Sequence, residues 1–199
     1  MRITDTRRLT TPTQVQRWLT SLDYNKADTM RTLPGVLKSG RAHCLEGALS
    51  AAALLEPHGY PPLILDLEST DLLDHTLFLY KEKGRYGAIG KSRDIGLDGR
   101  KPVFKTIRAL VESYVIPYID AKAHLTSFGV LDVRTLKNSR WKTSRGNVWF
   151  VEDALLAMPH VTIKTPEKVV RTWRNRYIAF KEKHPDRQPD YYPGKEFWQ

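Results

Sequence analysis

The chain has 199 residues, of which 41% are hydrophobic and 27% charged, and its formal net charge is +10. These values are typical of one globular domain, here residues 1–199, and the single cysteine excludes an internal disulfide framework. The sequence has no apolar run long enough to cross a membrane and shows no secretory signal, so we expect a cytoplasmic protein with no membrane partner.

Two helices are predicted in the first third of the chain. Thr11 is typical of an N-cap, with Pro12 at the first helical position and Gln14 closing a capping box. The apolar residues that follow at helical spacing are Val15, Trp18, Leu19 and Leu22. The apolar segment 44–57 predicts a second helix, and Gly59 is placed to end it in a left-handed conformation.

Three short segments rich in strand-forming residues come next, at 61–67, 75–80 and 85–90. Residues 83–84, Lys-Gly, indicate a hairpin turn between the last two segments. These short segments mark a change from helical to strand periodicity.

The rest of the chain is predicted to be mainly helical. Pro102 is expected to open a helix, the segment 121–150 has no clear pattern, and a final helix is expected near Pro166. The residues expected on the outer face of that final helix are Lys168, Arg171 and Arg174. The aromatic tail after it is expected to be irregular.

Cys44 stands where the second helix begins. The free N–H groups and the dipole at a helix start favour a thiolate and can stabilise an oxyanion. A thiol nucleophile also needs a base. His75 opens a predicted strand and is the candidate base, whereas His43 is expected to point elsewhere. The alternative for Cys44 is a buried structural thiol.

The predicted hairpin also suggests a third site residue. If residues 83–84 form a two-residue turn, antiparallel register places His75 opposite Ser92, with Asp94 one diagonal step further. Either side chain is then placed to accept the Nδ1–H of the imidazole and leave Nε2 facing the sulfur.

The order of these features resembles the transglutaminase-like superfamily. The stretches HCLEGALSAAALLEPHGYPPLILDL, DHTLFLYKEKGRYGAIGKS and RKPVFKTIRALVESY look more closely like a group of uncharacterised bacterial proteins with that core. The resemblance covers residues 36–120 and leaves 121–199 as a helical C-terminal extension. It implies a papain-like α+β fold in which the helix that carries the nucleophile packs on a small antiparallel sheet. It further implies Cys44 as the nucleophile and His75 as the base.

The resemblance implies chemistry through a thioester, with no metal or organic cofactor. It implies a peptide, protein or small amide substrate, but it does not distinguish hydrolysis, deamidation and transamidation. Where the superfamily usually carries an aspartate, this chain reads Gly-Lys-Ser at residues 90–92, and Asp94 comes two residues later.

The segment 134–183 holds 12 Lys and Arg residues against 4 Asp and Glu residues. Such an excess can attract an acidic partner, although nucleic acid is not expected because no nucleic-acid-binding motif is present. The alternative function is therefore a non-catalytic interaction module of the same fold, which binds an acidic or nucleic-acid partner through this basic half. The sequence does not indicate an oligomeric state.

Two other clusters contain side chains that could bind a cation. A metal site built from His43, Cys44, His75 and Asp74 lacks the spacing that metal sites show. The acidic residues of the loop before His75 are interpreted as a solvated turn, with binding of a cation or a basic substrate as the alternative. They are Asp66, Glu68, Asp71 and Asp74.

Overall fold

The computed structural model describes residues 6–190 and 192–199, apart from the side chain of Ile95. The helices are α1 Pro12–Ser21, α2 Leu33–Ser39, α3 Cys44–Leu55, α4 Ile107–Val115, α5 Trp149–Ala157, α6 Glu167–Lys183 and α7 Lys195–Trp198. The strands are β1 Asp23–Tyr24, β2 Arg41–Ala42, β3 Leu63–Ser69, β4 His75–Glu82, β5 Arg85–Ile89, β6 Arg100–Phe104, β7 Leu125–Asp132 and β8 Val161–Thr162.

One antiparallel sheet with the strand order β6-β5-β4-β3-β7-β8 forms the centre of the molecule, which confirms the α+β class. Strands β1 and β2 make a separate parallel pair. Strand β7 runs along the whole of β3. The segment 121–199, expected to be helical, therefore also adds strands to the central sheet. None of the described helices is long and apolar enough to cross a membrane.

The β4–β5 hairpin has the predicted turn and register. Lys83 and Gly84 both have positive φ angles, 47° and 77°, which a two-residue primed turn requires. Glu82 pairs with Arg85, and the pairing ends at Phe78 and Ile89. Because the strand ends there, the expected continuation of the register to Ser92 does not form.

Hydrophobic clusters cover both faces of the sheet. The first holds most of the buried face of α3, together with α1 and the β4 residue Phe78. The second holds α4 and the opposite face of β4, including Leu77 and Leu79. Helix α1 begins as predicted, since Thr11 caps it and forms a capping box with Gln14. Packing of α3 against β4 brings the start of that helix to the start of the strand.

Two expectations for the C-terminal half were wrong. Pro102 lies in β6, an edge strand, where a missing N–H is tolerated, and α4 begins only after its N-cap Thr106. Arg174 is half-buried rather than exposed, because its guanidinium donates to the carbonyl oxygens of the 120–123 loop. The described part of the tail is irregular as expected up to α7, and it is docked by the buried aromatic residue Trp198.

Candidate active site

Cys44 is the first residue of α3, and its half-buried thiol lies at the helix N-terminus. The N–H groups in the first turn of an α-helix have no acceptor within the helix, so they are available to a negative charge at this place. The Cys44 Sγ lies 4.0 Å from the carbonyl oxygen of Asp74, the residue before β4. The start of α3 and the start of β4 thus meet at the sulfur.

His75, the first residue of β4, is buried beside this thiol. Its Nε2 lies 2.7 Å from the backbone carbonyl oxygen of Leu97. A carbonyl can only accept, so Nε2 carries a hydrogen, and Nδ1 is the nitrogen left for the sulfur. The expected arrangement, with Nε2 facing the sulfur, is reversed.

The charge state of the thiol follows from these contacts. Burial opposes ionisation, but hydrogen bonds from His43 and His75 and their positive charges outweigh it, so the pKa of Cys44 lies well below its usual value. Burial also opposes protonation of His75, yet the contact with Cys44, the Leu97 carbonyl and the charge of Asp98 raise its pKa. Both shifts favour the charged pair, a thiolate beside an imidazolium.

His43 is a second imidazole close to the sulfur, although it was expected to point elsewhere. Its Nε2 lies 2.6 Å from the carbonyl oxygen of Thr29. Burial lowers the pKa of His43, but contact with Cys44 and the charge of Glu46 outweigh that effect and raise it. Cys44 is therefore in contact with one histidine from its own helix start and one from the sheet.

Glu46 fixes the loop that precedes α3. Its side chain is fully buried and forms an ion pair with Arg31, with Nε 2.7 Å from Oε1 and Nη2 2.9 Å from Oε2. It also accepts hydrogen bonds from Asn25 and Thr29 side chains and from the backbone N–H of His43. Burial opposes the charge of Glu46, but these donors lower its pKa to about 2.

Arg100 holds the loop that carries the Leu97 carbonyl. Its guanidinium donates to the carbonyl oxygens of Gly96 at 2.6 Å and Asp98 at 2.8 Å. The guanidinium carbon lies 3.8 Å from the ring centroids of both Tyr114 and Trp198, so the group is stacked between two aromatic rings. The C-terminal tail therefore supports the acceptor of His75.

The structure does not bring the expected third residues to the imidazole. The Ser92 hydroxyl accepts from the backbone N–H of Asp94 at 2.9 Å, and the Asp94 carboxylate contacts Arg93. The expectation of Ser92 or Asp94 as the orienting residue is therefore replaced by the Leu97 carbonyl, with the charge of Asp98 behind it. A backbone acceptor has no residue-type signal, so only the neighbouring Asp98 could have drawn attention to this loop.

Cys44 and His75 line a cleft of about 570 Å³. Six carboxylates line it, against one guanidinium, that of Arg93. These acids are Asp66, Asp71, Asp74, Asp94, Asp120 and Glu152. A second cavity of about 500 Å³ adjoins the cleft at the start of α3, and the two share Tyr24, Met30, His43, Arg93 and Glu152.

Within the described residues, no group of three or more His, Cys, Asp or Glu side chains has an arrangement that could hold a metal ion.

Comparison with models of known protein families gives no match for this chain. A search of curated proteins also finds no match.

Proposed function

We propose that this protein is a cysteine-dependent acyl-transfer enzyme in which Cys44 is the nucleophile and His75 the acid and base. The observation that carries the proposal is the placement of one thiol at a helix N-terminus, in contact with two histidines, in an open cleft. A purely structural thiol needs none of these features. Burial among apolar side chains would raise its pKa, whereas the pKa of Cys44 is lowered.

The proposed reaction begins with attack of the Cys44 thiolate on an amide or ester carbonyl. A sulfur–carbon bond forms, and the carbonyl electron pair moves onto oxygen, where the N–H groups of the first turn of α3 stabilise it. When the tetrahedral intermediate collapses, the bond to the leaving amine or alcohol breaks. His75 gives its Nδ1 proton to that leaving group, and a thioester remains on Cys44.

The second half-reaction releases the acyl group. His75, now neutral, takes a proton from water or an acceptor amine as that molecule attacks the thioester. The carbon–sulfur bond breaks, and the thiolate returns beside a protonated imidazole. Hydrolysis, deamidation and transamidation differ only in the attacking and leaving molecules, and the proposal covers all three.

The papain-like, transglutaminase-like architecture is part of the same proposal. What supports it is a helix that begins with the cysteine, packs on an antiparallel sheet and meets a histidine at the start of a neighbouring strand. The proposed substrate is a peptide, a protein or a small amide, for which the cleft and the adjoining cavity, of about 570 and 500 Å³, provide room.

Acylation by p-nitrophenyl acetate tests the proposal, because Cys44 is the only cysteine. Intact mass measurement should detect a thioester in the wild type and none in Cys44→Ser. His75→Ala should slow acylation by about 10² or more, the range of general acid–base effects. His58→Ala, which changes an exposed histidine, is the matched control and should acylate at the wild-type rate. A wild-type protein that forms no thioester contradicts the proposal.

A second candidate function is an interaction module, favoured by the exposed basic face of α6. Its exposed basic residues include Lys168, Arg171 and Lys183. We propose that this face binds an acidic partner, with nucleic acid as the probe to use. Fluorescence anisotropy at low salt should then detect binding that falls steeply as salt is added. No binding at low salt would count against this second function.

A further inference from the structure

The charge of the cleft opposes the charge of the chain. The chain has a net charge of +10, yet the described residues that line the cleft around Cys44 include six carboxylates, against one guanidinium and the two imidazoles of His43 and His75. A cleft lined mainly by one sign of charge concentrates ligands of the opposite sign. The acidic loop before β4, interpreted above as a solvated turn, contributes Asp71 and Asp74 to this lining.

The second observation is a pair of buried polar side chains at the same cleft. Asp66 on β3 and Thr76 on β4 are register partners, so their side chains lie opposite each other on one face of the sheet. They are only 2% and 4% exposed, and both line the cleft. Within the described part of the chain, the Thr76 hydroxyl has no hydrogen-bond partner. A buried hydroxyl without a partner costs free energy that a ligand can recover.

His160 contacts one of the two carboxylate oxygens of Asp66. Its Nε2 lies 3.1 Å from one oxygen of Asp66, and its Nδ1 lies 3.0 Å from the carbonyl oxygen of Met158. Burial raises the pKa of Asp66 to about 6, and the negative charges of Asp74 and Glu68 act in the same direction. Burial likewise raises the pKa of Asp74, which lies close to the sulfur through its backbone. A cation would relieve this repulsion.

We propose that the cleft takes an acyl substrate carrying an organic cation, an ammonium or guanidinium group, which binds Asp66, Asp74 and Thr76 beside the reacting thiol. This inference rests on the proposed function. A protonated amine offers several N–H donors, which match two carboxylates and a hydroxyl oxygen. Among the described residues, no group of three or more His, Cys, Asp and Glu side chains is arranged to hold a metal ion, and an organic cation is the occupant we propose.

Four methanethiosulfonate reagents test the charge preference without knowledge of the substrate. They carry an aminoethyl, a trimethylammonioethyl, a sulfonatoethyl or a neutral methyl group, and each converts Cys44 to a mixed disulfide while methanesulfinate leaves. Rates are divided by those of a free cysteine peptide. The wild type should react about tenfold or more faster with the cationic reagents than with the anionic one, a difference of ~1.4 kcal/mol.

Three variants assign the preference to the subsite. Asp66→Asn and Asp74→Asn should each reduce the ratio of cationic to anionic rates several-fold, whereas Glu112→Gln, an exposed acid outside the cleft, should leave it unchanged. Thr76→Val should slow only the aminoethyl reagent, because trimethylammonium has no N–H to donate. If the Asp66→Asn variant does not fold because Asp66 is buried, the Asp74→Asn variant tests the same expectation, since Asp74 is only half-buried.

The outcomes separate the two proposals. Fast reaction with the neutral reagent but no preference for a cation overturns the subsite and leaves the reactive thiol intact. An unchanged ratio in Asp66→Asn and Asp74→Asn also overturns it. Slow reaction with every reagent overturns the proposed function, and the inference with it.

Discussion

The Nε2 of His75 and the backbone carbonyl oxygen of Leu97 lie 2.7 Å apart. This bond sets which ring nitrogen faces the thiol, a role that a side-chain carboxylate or amide often fills. Because no substitution removes a backbone carbonyl, the loop must be tested through two of its side chains. One places a negative charge near His75, and the other donates hydrogen bonds to the loop carbonyls. Asp98 and Arg100 are those residues.

Asp98 should influence the thiol more than either expected third residue does. Its negative charge helps to raise the pKa of His75, so Asp98→Asn should lower that pKa and raise the pKa of Cys44. We expect the pH profile of iodoacetamide labelling to move to higher pH, so that labelling on the rising part of the profile is slower than in the wild type. The rate is measured across pH so that a shifted profile is distinguished from a uniformly slower one.

Asp94→Asn and Ser92→Ala are the matched comparisons for Asp98→Asn. Neither side chain is hydrogen-bonded to the imidazole in the structure, and the Ser92 backbone, rather than its hydroxyl, bonds to Asp98. Both variants should keep nearly the wild-type pH profile. A larger shift from either variant than from Asp98→Asn would mean that the orienting group has been misassigned.

Arg100→Lys should loosen the loop that carries the Leu97 carbonyl. Lysine keeps the charge but cannot make the forked hydrogen bonds to Gly96 and Asp98 while stacked between two rings. We expect a loss of about 1–3 kcal/mol in the free energy of unfolding, measured by urea denaturation. The pH profile of Cys44 labelling should also move to higher pH, an effect that lost stability alone does not produce.

Arg171→Lys, on the exposed face of α6, is the control for Arg100→Lys and should change neither quantity. Loss of stability with an unchanged labelling profile would show that Arg100 stabilises the fold without positioning His75.

Glu46 should make the folded state sensitive to acid. Its pKa falls from the usual 4.5 to about 2 on folding, so its stabilising contribution is complete above about pH 5 and is lost as the pH falls towards 2. The shift corresponds to about 3 kcal/mol. Urea denaturation of Glu46→Gln at neutral pH should show a larger loss, about 3–5 kcal/mol, because Arg31 loses its buried partner.

The acid sensitivity itself separates Glu46 from other carboxylates. Glu46→Gln should lose less stability than the wild type between pH 5 and pH 2, by about 3 kcal/mol. Glu112→Gln should follow the wild-type curve, since Glu112 is exposed. Parallel curves for Glu46→Gln and the wild type would contradict this role.

The sequence was informative wherever local chemistry decides the structure. The capping box at Thr11, the helix that begins at Cys44 and the turn at Lys83-Gly84 depend on neighbouring residues, and all three formed as expected. The hairpin register followed from the turn signal, whereas the α+β class was expected from the family resemblance. Pro102 shows the limit of such signals, because an edge strand tolerates proline as well as a helix start does.

The parts of the site that sequence reasoning missed depend on contacts between distant segments. The register could be extended to Ser92 only if β5 continued, but Gly90 instead exchanges two hydrogen bonds of 2.9 Å with the Gln16 side chain. His160 and Asp66 are 94 residues apart. The loop at Leu97 is shaped by Arg100 and by the tail residue Trp198, and no periodicity connects those positions.

The ionisation of Cys44 is the measurement that tests the account most directly. The difference in thiolate absorbance between the wild type and Cys44→Ser, recorded as a function of pH, gives the pKa of this one thiol. We expect a value well below the ~8.5 of free cysteine, and a value that returns towards it in His75→Ala. A wild-type thiol that titrates at or above ~8.5 would contradict the assignment of Cys44 as a nucleophile.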